Sequence, residues 1–453
     1  MGTLRRDRRG AFAIAVAGGV ALALLPVLAC AGCAAPASST GGAQASSTGS
    51  APLWVRTYSG PGAHDDVANS VAVARDGSAV FVTGRSPSAA GIVDYATVGY
   101  NASTGAQLWA SRYAGPAGVG GAAVAVAVDP VGKAVFVTGS SPGQGTGTDY
   151  VTIAYNAATG QRLWLSRYNG PASGSDDPSA MAVSPDGRDV FVTGTSQGGP
   201  ASGSDFATVG YAAATGARLW VSRFSGHGSA DDVATALAVS LDSGTVYVTG
   251  GSGPDYATVA YDAATGEQRW ASLGPSGRAS AIGVSAHQVF VTGTSGNAFA
   301  TVAYIAGTGI RRWLSRYNGA GRAGSRANSL VVWGANLYIT GAAGRDFATV
   351  RYGTGGGFQR WASISHVPGG SDTGARQVVL GRLKQRLYIT GGAGDDIATA
   401  CYMAFNGSRR WFRTFPGAGT SLAVNPVSGD VIVTGTSSRS ASGGNFTTIA
   451  YRG

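Results

Sequence analysis

The apolar and polar residues of this chain follow a pattern that returns about every fifty residues. Residues 205–220 read DFATVGYAAATGARLW, and versions of this stretch begin seven more times along the sequence. The tryptophans that mark the pattern lie 43 to 56 residues apart, at Trp54, Trp109, Trp164, Trp220, Trp270, Trp313, Trp361 and Trp411. A repeat of this length predicts an array of similar units rather than separate domains.

Each unit contains four short segments in which apolar and polar residues alternate, as they do in strands. In the third unit these predicted strands are residues 164–168, 179–184, 189–194 and 205–211. The Pro185-Asp186-Gly187 sequence supplies a turn between the second and third of them, and Thr215-Gly216 supplies the turn before the next tryptophan. Every unit therefore predicts one four-stranded antiparallel sheet.

A Thr-Gly pair in the third strand gives the number of units independently. It occurs eight times, at Thr83, Thr138, Thr193, Thr249, Thr292, Thr340, Thr390 and Thr434. Eight four-stranded units predict an all-β chain folded as an eight-bladed β-propeller. If the tryptophan strand is the outermost of a blade, residues 53–58 complete the last blade, begun by residues 421–451, and the closed ring has no exposed edges.

The composition favours strands over helices. Glycine occurs 73 times, charged residues make up 12% of the chain, and Glu267 is its only glutamate. The formal charge of +10 falls to +7 when the four arginines and one aspartate of residues 1–29 are left out. The remaining arginines are distributed through the repeats, so we interpret them as serving solubility and packing and expect no nucleic-acid partner.

The amino terminus has the pattern of an export signal. Arg5, Arg6, Arg8 and Arg9 precede an apolar run over residues 11–29, and small residues surround Cys30 and Cys33. This arrangement resembles a bacterial lipoprotein signal, which implies lipidation of Cys33 or Cys30. An uncleaved membrane anchor and simple secretion are the alternatives.

These features divide the chain into three parts. Residues 1–33 are the export signal, residues 34–51 form a flexible Ala/Ser/Thr/Gly tether, and residues 52–453 form the propeller. We therefore expect a monomer anchored by lipid to the outer face of the cell membrane, or secreted.

Two phrases resemble known repeats. Residues 159–164, TGQRLW, resemble the tryptophan-docking repeat of PQQ-type quinoprotein propellers, and residues 65–84 are similar to the SBBP-type repeats of bacterial exported propellers. Envelope assembly scaffolds and quinoprotein dehydrogenases share this architecture, so the resemblance implies the fold and leaves the activity open. For a dehydrogenase it implies acidic calcium ligands including a glutamate, and often a vicinal cysteine pair. Glu267 lies in a predicted turn and Cys401 is the only cysteine beyond the signal, so no cofactor is predicted.

Residues that recur in every unit are expected to be structural, because a catalytic site is needed only once. This applies to the Trp, Tyr and Thr-Gly positions and to the Asp that opens the fourth strand, which we expect to accept backbone hydrogen bonds. The arginine of the S-R-Y phrase (Arg112, Arg167, Arg223, Arg316) is expected to stack on an aromatic ring. The G-x-S-x-G matches at residues 139–143 and 194–198 lack a following helix and are not expected to form nucleophile elbows.

Candidate binding residues lie where the repeat varies. The loops after the tryptophan strand and after the Thr-Gly strand fall on one face, the variable-loop face, whereas the short uniform turns fall on the opposite turn face. Charges in the variable loops sort into two halves: acidic Asp65, Asp66, Asp176, Asp177, Asp231 and Asp232, and basic Arg278, Arg322, Arg326 and Arg376, with Asp372 as a minority acid in the basic half. Such a split is suited to orienting a dipolar ligand or a protein partner, and ordinary loop capping is the alternative.

His64, His227 and His366 fall in the same loops but come from separate units without ligand-like spacing, so no metal site is predicted. The sequence thus predicts a non-catalytic binding or scaffold module of the cell envelope, which presents its variable-loop face to an unidentified protein or other envelope ligand. The alternative is a propeller enzyme, a quinoprotein-like oxidoreductase or a hydrolase, with its site in the central funnel.

Overall fold

A computed structural model describes residues 13–14, 51–62, 65–118, 120–199, 203–226, 230–322, 324–367, 373–437 and 443–453. Within these ranges the chain forms 33 strands and two 3-10 turns, at Pro116–Gly118 and Gly319–Gly321. No helix in this part of the chain has the length and apolar character needed to cross a membrane.

The strands up to the middle of the ring are β1 Ala13–Ile14, β2 Trp54–Tyr58, β3 Val67–Val73, β4 Ala79–Pro87, β5 Val93–Asn101, β6 Gln107–Tyr113, β7 Ala122–Val128, β8 Ala134–Pro142, β9 Thr148–Asn156, β10 Arg162–Tyr168, β11 Asp176–Val183, β12 Asp189–Gln197, β13 Ser204–Ala212, β14 Arg218–Phe224, β15 Asp232–Val239, β16 Thr245–Ser252, β17 Asp255–Asp262 and β18 Gln268–Ser276. The remaining strands are β19 Arg278–Val284, β20 Gln288–Ser295, β21 Ala298–Ile305, β22 Arg311–Tyr317, β23 Arg326–Trp333, β24 Asn336–Ala343, β25 Asp346–Gly353, β26 Gln359–Ser365, β27 Thr373–Leu380, β28 Arg386–Ala393, β29 Asp396–Met403, β30 Arg409–Pro416, β31 Ala418–Val424, β32 Val431–Thr436 and β33 Phe446–Tyr451.

These strands form eight antiparallel sheets arranged as the blades of a propeller. Blades 1 to 7 each take four consecutive strands from β3 to β30, with the first strand innermost. Blade 8 has the order β31-β32-β33-β2, so the amino-terminal tryptophan strand closes the ring, as the sequence predicted. Blade 5 carries one additional strand, because β1 pairs with the inner edge of β19.

The core lies between the blades, where each tryptophan docks onto the next unit. The indole N–H of Trp109 donates to the carbonyl of Ala157 at 2.9 Å. Equivalent bonds come from Trp54, Trp164, Trp220, Trp270, Trp313 and Trp361. Gly216 shows why the docked turn needs glycine: its φ is +71°, and a Cβ there would lie 2.5 Å from the Trp164 ring.

The recurring threonines are structural, as expected. The hydroxyls of Thr83 and Thr97 are 2.9 Å apart in the interior of blade 1, and the partner residues Thr193 and Thr208 repeat the contact in blade 3. Buried hydroxyls need such partners because an unpaired one costs roughly 1–3 kcal/mol. The repeated A-T and T-G phrases therefore specify the blade rather than a site.

Strand direction fixes which loops share a face. The outer strand of each blade begins at the turn face and ends at the variable-loop face, and the inner strand of the next blade returns from there. Because Trp54 begins an outer strand, the segment directly before β2 joins the closed ring on the turn face.

Candidate functional site

A β-bulge occurs near the start of every inner strand, next to the central channel. The unpaired bulge residues are Asn69, Val124, Ser179, Thr235, Ser280, Asn328, Arg376 and Thr420. An extra residue in one strand turns its side chain out of the ladder. One side chain per blade is thereby directed away from the sheet, and all eight fall at the same level of the ring.

Most of these side chains join neighbouring blades. The Ser179 hydroxyl donates to the carbonyl of Ala234 at 2.7 Å, and the Thr235 hydroxyl donates to Ala279 at 2.9 Å. Asn69, Asn328 and Thr420 make the same kind of bond. The ring is therefore held together around the channel by side chains as well as by docked tryptophans.

A cavity of about 710 Å³ opens at the channel end on the variable-loop face, and we call it the funnel mouth. The residues that line it come from blades 3 to 7 and include Asp177, Ser179, Thr195, Val233, Thr235, Arg278, Ser280, Arg326, Asn328, Gly374 and Arg376. Four of the predicted site residues, Asp177, Arg278, Arg326 and Arg376, thus meet in one place. A volume in this range accommodates a small molecule or a short stretch of extended peptide.

The three arginines reach the funnel mouth from consecutive blades. Arg278 and Arg326 occupy the same position of β19 and β23, two residues before the bulge, and Arg376 is itself the bulge residue of β27. A glycine makes room for one of them, because a Cβ on Gly251 would lie 3.2 Å from the Arg278 side chain. All three arginines are exposed.

Asp177 faces these arginines from blade 3. It is exposed and accepts a hydrogen bond from the Thr148 hydroxyl at 3.2 Å. One acidic and three basic side chains therefore surround the cavity, with the positive charge concentrated on blades 5 to 7. Guanidinium groups in this arrangement bind carboxylates in two-point contacts.

Three of the predicted acidic residues lie inside the protein instead. Asp66, Asp176 and Asp232 are at most 1% exposed, and each accepts a backbone N–H in the preceding loop, from Gly60, Gly170 and Gly226 respectively. Burial raises the pKa of Asp176. These carboxylates hold the loops in shape, which is the capping alternative, and they are not available to touch a partner.

The other acidic candidates are closer to the surface. Asp231 is exposed and accepts the N–H of Ser204 at 3.0 Å, and the half-buried Asp65 accepts the N–H of Gly444 at 2.8 Å. Both bonds reach a loop other than their own, so these residues position loops on the variable-loop face.

Three of the S-R-Y arginines, Arg112, Arg167 and Arg223, form ion pairs rather than the expected ring stacking. Arg316 is exposed, and Ala298 stands where those units have the aspartate. Arg223 bonds to Asp205 at 2.7 Å and to the Tyr168 hydroxyl of blade 2 at 3.2 Å. Arg112 and Arg167 repeat this pattern with Asp94 and Asp149. The prediction that the strand-opening Asp accepts backbone hydrogen bonds is corrected in the same way, because a guanidinium donates to Asp94, Asp149 and Asp205.

The G-x-S-x-G serines belong to the same clusters. The Ser141 hydroxyl is buried and donates to the carbonyl of Gly120 at 2.7 Å, and Ser196 receives a hydrogen bond from Arg223. Each motif is followed by a strand, β9 or β13, so neither is a nucleophile elbow, as predicted.

Arg322 and His366 meet at Asp346, away from the residues that line the funnel mouth. The Arg322 Nε lies 3.2 Å from one carboxylate oxygen, and the His366 Nδ1 lies 2.9 Å from the other. In the part of the chain that the structure describes, no three His, Cys, Asp or Glu side chains come together as metal ligands. His64 and His227 lie outside the described residues.

The residues that a calcium–quinone centre would need are placed elsewhere. Glu267 lies in a turn of blade 4 on the turn face. Cys401 is fully buried within blade 7, where burial raises the pKa of its thiol to about 12. The expectation that Cys401 is a small buried apolar residue is confirmed, and these residues do not fit such a centre in the funnel.

Fold and repeats together define a β-propeller of PQQ-like repeats. A family described as outer membrane protein assembly factor BamB matches residues 205–445, more than half of the chain, and the protein belongs to this family. No curated protein matches the sequence.

Solved structures share the fold at low identity. BamB from Moraxella catarrhalis is similar with 17% identity and a TM-score of 0.50, covering 88% of this chain and 97% of its own. Quinohemoprotein alcohol dehydrogenase from Comamonas testosteroni has 12% identity and a TM-score of 0.59, and the match covers 88% of this chain and 76% of the dehydrogenase chain. Sqt1 from Chaetomium thermophilum, bound to the N-terminus of the ribosomal protein L10, has 11% identity and a TM-score of 0.56. The match covers 86% of this chain and 98% of the Sqt1 chain.

Proposed function

We propose that this protein is an exported, lipid-anchored and non-catalytic binding module of the cell envelope. Its funnel mouth receives an acidic segment of a protein partner. The observation that carries the proposal is the convergence of Arg278, Arg326 and Arg376 on one cavity. Repeated positions specify the blades, whereas these three arginines interrupt the repeat at the channel entrance.

The electrostatics of the funnel mouth favour an acidic ligand. Within the described residues, neither Arg278 nor Arg326 has an acidic partner within ion-pair distance, so their charges are available to a ligand. Asp177 on the opposite side disfavours a ligand that is negative throughout. A peptide segment with a local carboxylate cluster satisfies both conditions.

The entry of the chain from the turn face supports this orientation. A tether that reaches β2 from that side leaves the variable-loop face directed away from the anchor and accessible to a partner. The Sqt1 propeller bound to the N-terminus of a ribosomal protein is an example of a similar fold that holds a chain segment.

A charge-reversal experiment tests the proposal. The propeller alone, residues 52–453, contains every strand of the closed ring apart from the added β1, and serves as bait for envelope extracts of the producing cells. The triple variant Arg278→Glu, Arg326→Glu, Arg376→Glu is expected to lower recovery of a specific partner at least about tenfold. The matched control Arg162→Glu, Arg188→Glu, Arg218→Glu, with three exposed arginines of the turn face, should leave recovery unchanged. Equal losses in both triples would contradict a role for the funnel mouth.

The rival function is a propeller enzyme that uses the same funnel. Native mass spectrometry and metal analysis of residues 52–453, purified from an export-competent host, distinguish the two. A mass equal to that of the polypeptide supports the binding module. A stoichiometric quinone or metal ion would favour the enzyme.

A further inference from the structure

The outer turns of blades 5 to 7 expose large apolar side chains on the turn face. Ile310, Phe358 and Phe405 are 62%, 73% and 64% exposed. Ile310 and Phe358 come directly before the outer strands β22 and β26, and Phe405 lies in the turn that leads to β30. Large apolar side chains exposed to water in neighbouring blades indicate a surface that binds a protein or a membrane.

Arginines accompany these apolar residues at equivalent positions. Arg312, Arg360 and Arg410 each come directly before the docking tryptophan, at a bulge that exposes the side chain. Blades 1, 2, 3 and 8 have leucine at this position, and blade 4 has Arg269, which pairs with Asp262 at 2.7 Å. Among the described residues, arginines at this position without an acidic partner within ion-pair distance therefore occur only in the three blades that also expose Ile310, Phe358 and Phe405.

The turns of these blades are also free of acid. No Asp or Glu occurs in residues 285–287, 306–310, 334–335, 354–358, 381–385 or 404–408. The inner hairpin turn of every other blade carries one, at Asp76, Asp129, Asp186, Asp242 and Asp430. The turn face is thus balanced on blades 1 to 4 and 8 and strongly basic on blades 5 to 7. The arginines are less evenly distributed than the sequence suggested.

Tryptophan docking brings the basic and apolar groups into an alternating row. Trp313 donates to the carbonyl of Thr354 at 3.0 Å, which brings the turn that ends at Phe358 against the strand of Arg312. Trp361 donates to the carbonyl of Ala404 at 3.2 Å, which does the same for Phe405 and the strand of Arg360. Arg351 fixes the second turn by donating to the carbonyl of Phe405 at 2.7 Å.

We propose that this turn-face patch, formed by Ile310, Arg312, Phe358, Arg360, Phe405 and Arg410, docks on the anionic headgroups of a lipid bilayer. Aromatic side chains insert at the level of the headgroups, and arginines bind the lipid phosphates. If residues 34–51 form the tether that the sequence predicts, a chain of this length would span about 23 Å on average. Such a tether would join β2 on this same face, so an anchored propeller would carry the patch close to the membrane. The variable-loop face would then point outward. This inference goes beyond the proposed partner binding and uses different residues.

The test measures partitioning of residues 52–453 onto sedimented vesicles of phosphatidylcholine with and without phosphatidylglycerol. Binding is expected only with phosphatidylglycerol and should weaken as salt increases. The variant Arg312→Glu, Arg360→Glu, Arg410→Glu should reduce the partition coefficient at least about 100-fold. The variant Phe358→Ser, Phe405→Ser should reduce it at least about tenfold while preserving the salt dependence.

Matched variants on the other half of the same face provide the control. Arg162→Glu, Arg188→Glu, Arg218→Glu and, separately, Leu163→Ser, Leu219→Ser should change vesicle binding by less than about threefold. Thermal unfolding curves identify any variant that has lost its fold. The proposal is overturned if both arginine triples reduce binding equally, or if neutral vesicles bind as well as anionic ones. It is also overturned if duplex DNA rather than phosphatidylglycerol is bound through Arg312, Arg360 and Arg410. If vesicle binding is absent but the partner is still recovered through the funnel mouth, the membrane proposal is wrong and the proposed partner binding is unaffected.

Discussion

Thr420 donates its hydroxyl proton to the backbone carbonyl of Ala68 at 2.7 Å, although the two residues stand 352 positions apart in the chain. The bond joins the inner strand of blade 8 to that of blade 1, at the point where the ring closes. It repeats the contact between Ser179 and Ala234. The closing interface is therefore built like the others around the channel.

Removing this donor should weaken the ring. Thr420→Val leaves the carbonyl of Ala68 without its side-chain donor, and we expect the free energy of unfolding to fall by about 1–2 kcal/mol. In blade 2 the bulge residue is already apolar, so Val124→Thr should raise stability by about 0.5–1 kcal/mol. Denaturant unfolding measures both, and an unchanged midpoint for Thr420→Val would contradict the assigned role.

The ion pairs between neighbouring strands should contribute more to the free energy of unfolding than these side-chain hydrogen bonds do. Arg223→Ala leaves Asp205, whose side chain is 8% exposed, without its guanidinium, and a loss of about 3–5 kcal/mol is expected. Arg316 occupies the same position in blade 5, but Ala298 replaces the aspartate there and Arg316 is exposed. Arg316→Ala should therefore cost less than about 0.5 kcal/mol. Similar losses for the two variants would show that the pair adds little.

Arg413 stabilises the junction of blades 7 and 8 by a different contact. Its guanidinium lies 4.5 Å from the Trp411 ring centre and 4.8 Å from that of Tyr451. Arg413→Ala should lower stability by about 1–3 kcal/mol, and Arg413→Lys should recover only part of it because an ammonium cannot stack. Hydrogen exchange should accelerate first in β30 and β33. Uniform acceleration around the ring would argue against a local role.

Asp262 provides a test of pH dependence. The Arg269 side chain, with backbone donors, lowers its pKa from 3.8 to about 2. Because the folded-state pKa is depressed, the stabilisation is complete above the ordinary value, and it is lost as pH falls toward 2. A carboxylate titration followed by NMR should show this low value in the native protein and a clear rise in Arg269→Ala. An unshifted Asp262 in the native protein would refute the pairing.

Much of the fold could be predicted because its signals are local. The tryptophan spacing and the Thr-Gly pairs give eight blades, and the predicted strands of the third unit lie within three residues of the observed ends. The closing strand could be predicted because the first repeat begins with a tryptophan strand alone and the last repeat lacks one. The resemblance to PQQ-type repeats named the correct kind of propeller for the same reason.

The site was harder to predict, because an alternating pattern does not show which of two adjacent residues faces inward. Asp176 is buried and Asp177 is exposed, whereas Asp231 is exposed and Asp232 is buried. The deciding feature is the register between strands, because Asp176 and Asp232 each lie two residues before the residue that pairs with the Thr-Gly glycine. Aligning the units on the inner-strand residue opposite each Thr-Gly glycine would have matched Asp66, Asp176 and Asp232 as one capping position. The turn-face patch was missed because its residues lie about fifty positions apart.

Site-specific photocrosslinking tests the central claim most directly. A photoreactive residue at Val233, which lines the funnel mouth, is compared with one at Ala264, an exposed position in the turn face of the same blade. In the cells that produce the protein, the position at Val233 should yield a discrete crosslinked protein, reduced by the triple reversal of Arg278, Arg326 and Arg376, and the position at Ala264 should not yield it. The same adduct from Ala264, with none from Val233, would contradict binding through the variable-loop face.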